Sequence, residues 1–157
     1  MFRLVTAADV DRVADLAIES TLFPEEARGF LLDQMNGWLR SSDPSGAWIV
    51  DDSDGAIRSV AFYEPRAATD RVWYLTMIAV APSAQGSGLG SATLSHVEQV
   101  LRASGQRLLL IETSSTPQYE RTRAFYAKHG YTREAVVRDY FTDGDDMVLF
   151  RKDLRVP

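Results

Sequence analysis

The chain has 157 residues, a length that suits one domain, and no cysteine, which excludes disulfides, cysteine–zinc and iron–sulfur sites, and thiol nucleophiles. A formal net charge of −5 makes a polyanion such as nucleic acid a poor bulk partner, because phosphate neutralisation needs surplus positive charge. The composition, 45% hydrophobic and 25% charged, is that of a globular chain able to bury a core, and the two histidines, His96 and His129, are too few for a metal cluster. No metal is expected.

Met1 to Thr6 offers no apolar stretch of signal-peptide length before Asp9 and Asp11 interrupt it, and no window reaches the ~18 apolar residues of a membrane span. A cytoplasmic protein without a membrane partner is the expectation. Phe2 to Val5 reads as a short strand. Thr6-Ala7-Ala8-Asp9 reads as a capping signal for a helix whose stripe is Val10, Val13, Ala14 and Ala17, ending near Ser20. Pro24, Glu25 and Glu26 suit the first turn of a second helix carrying Leu31, Met35 and Trp38, weakened by Gly29 and Gly37 at about 1 kcal/mol each. Ala47 to Val50 and Ala56 to Glu64 read as strands, joined by a hairpin at Asp54-Gly55.

Val72 to Val80 is a third β-run closed by Pro82, and Gly88 to about Ala103 is a helix with Leu94, Val97 and Leu101 inward. Arg107 to Thr113 holds the unbroken run Leu108-Leu109-Leu110-Ile111, the pattern of a central strand covered on both faces and parallel to a neighbour. Pro117 to Lys128 forms a further helix. Tyr131 to Arg138 and Asp146 to Lys152 are final strands around a loop from Asp139 to Asp145. The order β-α-α-β-β-β-α-β-α-β-β predicts an α/β fold with a mixed central sheet of about seven strands and about four helices, in a single domain over 1–157.

The chemistry concentrates where the Val72–Val80 run enters Gln85-Gly86-Ser87-Gly88-Leu89-Gly90-Ser91, three glycines in a turn that opens a helix. Such a junction presents main-chain N–H groups and the positive end of a helix dipole, a concavity for phosphate or pyrophosphate. A P-loop is excluded, because no lysine lies between Arg71 and Lys128. A Rossmann fingerprint fits poorly, because Ser91 or Thr93 falls where the third glycine belongs.

Gln85-Gly86-Ser87-Gly88-Leu89-Gly90 resembles the Gln/Arg-x-x-Gly-x-Gly/Ala pyrophosphate turn of the GNAT acyltransferases, which bind acetyl-CoA. Tyr74 to Pro82 is similar to that family's fourth strand, Arg123 to Tyr131 to its Ala-x-x-Phe-Tyr-x-x-x-Gly-Phe segment, and Asp146 to Leu154 to its closing strand. The resemblance implies fourth and fifth strands that splay apart around the pantetheine arm of acetyl-CoA. It further implies that Ile78, Ala79 and Val80 face that arm, with a backbone N–H near Ile78 holding the developing oxyanion. Gly86 to Ser91 would hold the diphosphate, and Gln85 stands where many relatives carry arginine.

Tyr126 matches the tyrosine that protonates the leaving thiolate in the family; a phenol of pKa about 10 can serve a thiol near 8.5 in low dielectric. Thr76 and Met77 stand where many relatives place an acid, so Glu64 and Glu112, or a water chain, are left as general-base candidates. Tyr119 stands where relatives often carry asparagine for the pantetheine amide. The acceptor pocket is expected from Thr21, Leu22, Phe23 and Glu25, with Tyr140 and Phe141, aromatics beside acids that suit an amine. The function implied is acetyl transfer from acetyl-CoA to a primary amine by direct attack. A non-catalytic acyl-CoA sensor or interaction module is the alternative. Dimers are frequent among similar proteins, so a homodimer is a further expectation.

Overall fold

The computed structural model describes residues 1–53 and 55–156; Asp54 and Pro157 lie outside the described residues, and with Asp54 the expected Asp-Gly turn. Among the described residues the chain forms β1 (Phe2–Leu4), α1 (Val10–Glu19), α2 (Arg28–Arg40), β2 (Ala47–Asp51), β3 (Ser59–Pro65), β4 (Val72–Val80), α3 (Leu89–Ala103), β5 (Leu108–Ser114), α4 (Glu120–Lys128), β6 (Thr132–Thr142) and β7 (Asp145–Asp153). The strands join in the order β1-β2-β3-β4-β5-β7-β6. β4 runs parallel to β5, while β5–β7 and β6–β7 are antiparallel, so the sheet is mixed as the alternation of hairpins and crossovers predicts.

Contacts divide the chain into two compact units, Met1–Glu64 with Met77–Gln99, and Pro65–Thr76 with Val100–Pro157. In the first, α1 buries Val10, Val13, Ala14, Leu16 and Ala17, the face its spacing predicts. That face shares a core with Leu31 and Met35 of α2, Trp48 and Val50 of β2, and Met77 and Ala79 of β4. Each fully buried leucine or valine there contributes about 1.5–3 kcal/mol, which offsets the weak helix propensity that Gly29 and Gly37 give α2. The capping signal at the start of α1 forms: the Asp9 carboxylate accepts the Thr6 N–H and the Thr6 hydroxyl, both at 2.7 Å, and pairs with the Arg3 guanidinium. β3 begins at Ser59, later than its sequence pattern suggests, because Arg58 donates its N–H back to Asp51 at 3.1 Å instead of extending the ladder.

In the second unit β5 takes the central place expected of its apolar run, but it is not covered equally on both faces. Leu109 and Ile111 are buried, Leu110 is half-buried and Glu112 is exposed. The expected loop from Asp139 to Asp145 is mostly strand. β6 runs on to Thr142, which pairs with Asp145, and the surplus residues are absorbed between Val137 and Thr142. Asp139, in the left-handed region at φ 53°, makes this possible: its N–H reaches the Asp146 carboxylate at 2.9 Å, and its own carboxylate accepts the Gly144 N–H at 2.8 Å. His96 stacks on Phe2 with ring centroids 4.6 Å apart, and His129 bonds the Phe125 carbonyl through Nδ1 at 2.7 Å. Among the described residues no group of acidic or histidine side chains could hold a metal ion, and no helix is long and apolar enough to cross a membrane.

Candidate functional site

β4 alternates along its second half. Met77 and Ala79 enter the core of the first unit, whereas Ile78 and Val80 are half-buried on the opposite face. Met77 is therefore a packing residue, and Thr76, although exposed, carries no acid. Registered pairing of β4 with β5 covers Val72↔Leu108, Trp73↔Leu109 and Tyr74↔Leu110, in the first part of β4.

After β4, Pro82–Ala84 make one 3-10 turn and the chain enters the glycine junction. Gly86 at φ 77° and Gly88 at φ 88° occupy the left-handed region, where a side chain is strained. A Cβ at either position would meet nothing within 4 Å, so it is backbone conformation, not crowding by the protein, that calls for glycine here. The turn is tied from within: Ser87 Oγ donates to the Ala84 carbonyl at 2.6 Å, and the Gln85 carboxamide donates to the Val80 carbonyl at 3.2 Å. Among the described residues no acceptor takes the N–H of Gly86, Gly88, Leu89 or Gly90. α3 then begins at Leu89, aligned by a buried Thr93 whose hydroxyl lies 2.8 Å from that of Ser59 on β3. Unpaired donors at the start of a fifteen-residue helix, beside two left-handed glycines, make an anion cradle.

The second unit holds the proton-transfer candidates. Tyr126 of α4 is 4% exposed. Its ring meets Phe125 at 5.4 Å, Tyr131 at 5.8 Å and Phe150 at 5.7 Å, centroid to centroid. Its hydroxyl makes no hydrogen bond with a described residue, and burial pushes the phenol well above its ordinary value, so it stays protonated at neutral pH. Tyr119 immediately precedes α4 and is half-buried.

Glu112 is exposed on β5, two residues beyond Leu110, the partner of Tyr74, so it shares a face with Tyr74 on the adjacent strand. Tyr74 escaped the sequence reading, although its place in a strand beside the glycine junction was the available signal. Burial first, and then the Glu112 charge, push the Tyr74 phenol up, with Tyr140 adding to the effect and Arg66 opposing it. Arg66 stands over the Tyr74 ring at 6.0 Å. Glu112 thus stands beside Tyr74 on one face of the sheet, with Tyr140 near enough to add a weak electrostatic effect. Tyr140 and Phe141 are edge-on to each other at 5.0 Å and about half exposed.

Glu64 is half-buried against Gly46, where a Cβ added to the glycine would come within 2.8 Å of the Glu64 Cβ. It lines a cavity of about 260 Å³ with Trp38, Trp48 and Phe62. Phe23 packs on the core of the first unit, and Glu25 is exposed in the turn that precedes α2.

The sequence model of the acetyltransferase (GNAT) family matches residues 10–131. The chain belongs to the GNAT family. Mycothiol acetyltransferase of Beutenbergia cavernae is 39% identical over 100 residues; the match takes in 62% of this GNAT chain and about a third, 32%, of that protein. A solved structure from Desulfovibrio desulfuricans assigned to the GNAT family is 31% identical with a TM-score of 0.92, each chain covered over 98%. An aminoglycoside 6′-N-acetyltransferase solved with coenzyme A shares the fold at a TM-score of 0.81 and 16% identity, covering 100% of this chain and 98% of its own.

Proposed function

We propose that this GNAT chain transfers an acetyl group from acetyl-CoA to a primary amine of a small molecule or peptide by direct attack, with residues 1–157 working as a single acetyltransferase domain. The observation that carries the reading is the glycine junction. Four main-chain donors without protein partners, at a helix start, match what a diphosphate needs and what a plain connector does not. Ile78 and Val80 supply backbone groups to the pantetheine arm, and the N–H near Ile78 polarises the thioester carbonyl. Gln85 contributes by anchoring the turn to Val80, in place of the charge contact that an arginine would make.

The amine nitrogen attacks the thioester carbon, the C–S bond breaks, and the thiolate takes a proton from Tyr126. Burial makes that phenol a weak acid in equilibrium terms, but a thiolate expelled into low dielectric also gains proton affinity, so the two rise together. Glu112 accepts the ammonium proton, directly or through water, and is preferred to Glu64 because its neighbours Tyr74 and Tyr140 are groups suited to an amine. Phe23, Glu25 and Tyr140 contribute to acceptor recognition.

The burial of Met77 and the neutrality of Thr76, where many relatives carry an acid, favour the second reading, an acyl-CoA sensor. Thiol release with a panel of primary amines decides. Release above background supports the transferase, and none, with coenzyme A still bound, supports the sensor.

A further inference from the structure

The loop that joins α2 to β2 closes a small cavity at one end of β3. The Trp38 indole, in the last turn of α2, donates to the Gly46 carbonyl at 3.2 Å. Gly46, at φ 77°, presses on β3, where a Cβ would stand 2.3 Å from the Tyr63 carbonyl oxygen. Trp48 and Phe62 are direct partners across β2 and β3, and their rings stack with centroids 4.6 Å apart. Glu64 follows Phe62 by two residues and so lies on the same face of the strand. The cavity of about 260 Å³ lies between these groups and the α2 residues Asp33 and Gly37. A Cβ on Gly37 would meet nothing within 4 Å, so this glycine, unfavourable within a helix, leaves the mouth open.

The lining fixes the chemistry of a ligand. Asp33 and Glu64 are its charged residues and both are acidic, which turns an anion away. Among the described residues no hydrogen bond or ion pair engages the half-buried Glu64 carboxylate. A hard metal ion wants about six oxygen ligands, and two carboxylates beside aromatic faces fall short of that. An organic cation can use both the charge and the ring faces. The volume lies below the about 300–1,000 Å³ of pockets for drug-sized ligands, so the cation is small. We infer that this cavity binds a small alkylammonium ion, with its charge on Glu64 and its methylene groups on the Trp48–Phe62 stack. Position separates the site from acetyl transfer. The other end of β3 reaches α3, where Ser59 meets Thr93 at 2.8 Å, and Glu64 lies five residues, about 17 Å, along the strand from Ser59. Aromatic neighbours alone suit Glu64 as well as Glu112 to an ammonium group, but Glu64 stands at the end of β3 remote from the glycine junction.

Titration of the isotope-labelled full chain with n-butylammonium chloride, at constant ionic strength and without acetyl-CoA, tests this through the indole N–H signals in NMR spectra. The Trp38 and Trp48 signals should shift saturably, with a dissociation constant on the order of millimolar, while Trp73, outside the lining, serves as the reference. Butan-1-ol, of similar shape and without charge, should bind at least tenfold more weakly. Glu64→Gln keeps the shape of the side chain and should weaken butylammonium binding by tenfold or more. Gly37→Leu fills the mouth with a better helix former, so it should abolish the shifts in a chain at least as stable as wild type by thermal melting. Indole signals that show no saturation up to about 100 mM overturn the proposal. So does butan-1-ol that binds equally well, or wild-type affinity retained in either variant. The readout needs no turnover, so its failure and a failure of thiol release are separate results.

Discussion

The carboxamide of Gln85 donates to the carbonyl of Val80 at 3.2 Å, which ties the glycine junction to the end of the strand that leads into it. Where an arginine would reach toward the ligand, this side chain reaches back into the protein. Its contribution is to brace a turn whose N–H groups at Gly86, Gly88, Leu89 and Gly90 have no acceptor among the described residues. Gln85→Ala removes one neutral hydrogen bond, about 1 kcal/mol, and should raise the KM for acetyl-CoA by about threefold to tenfold with kcat nearly unchanged. Steady-state kinetics at saturating amine measures it. An equal fall in kcat would place Gln85 in the chemistry instead.

Tyr126→Phe keeps the ring among Phe125, Tyr131 and Phe150 and removes only the hydroxyl. The expected result is a kcat lower by tenfold or more, unchanged coenzyme A affinity by calorimetry, and a melting temperature close to wild type. Unchanged turnover removes Tyr126 from proton transfer. Tyr126→Ala is a poor substitute for this test, because emptying so buried an aromatic site costs about 3–5 kcal/mol of stability.

Glu112→Gln should lower kcat/KM for the amine by about a hundredfold near neutral pH, while Glu64→Gln leaves it intact. The reverse outcome assigns the base to Glu64. Tyr74→Phe separates support from chemistry. It should lower kcat/KM for the amine by several-fold, well short of the loss from Glu112→Gln, because Tyr74 stands beside Glu112 without itself accepting the proton.

The Arg3–Asp9 pair gives the fold a pH dependence. The guanidinium holds the Asp9 carboxyl well below the ordinary carboxylate range, against the opposing effect of burial. A depressed folded-state value means stability that is fully present above the unfolded value of about 3.9 and lost as pH falls through and below it. Arg3→Met should destabilise the chain at pH 7 by about 1–2 kcal/mol, discounted because Arg3 is 36% exposed. The difference from wild type should shrink toward pH 2. Urea midpoints at the two pH values check the sign, and a difference that grows on acidification contradicts it.

The repeating elements were legible because their signals are local. The α1 stripe, the Leu108–Ile111 run and the glycine junction each depend on a few consecutive side chains, and each formed where expected. The end of β6 was not legible. Asp139, Thr142, Asp143 and Gly144 read as a loop, and only the reciprocal bonds between Asp139 and its partners Asp146 and Gly144 turn the stretch into an irregular strand. Tyr74 was hidden for a related reason. A tyrosine within a strand carries no sign of its neighbours, and its relation to Glu112 exists only through the register of two strands separated in sequence by a helix.

The most direct test follows the amide signals of the isotope-labelled full chain by NMR during coenzyme A titration. The N–H groups of Gly86, Gly88, Leu89 and Gly90 should move together, shifted as charge-assisted donors are, with saturation at one equivalent. Coenzyme A that binds while those four signals stay in place, the changes falling elsewhere, would contradict the assignment of the diphosphate to this junction.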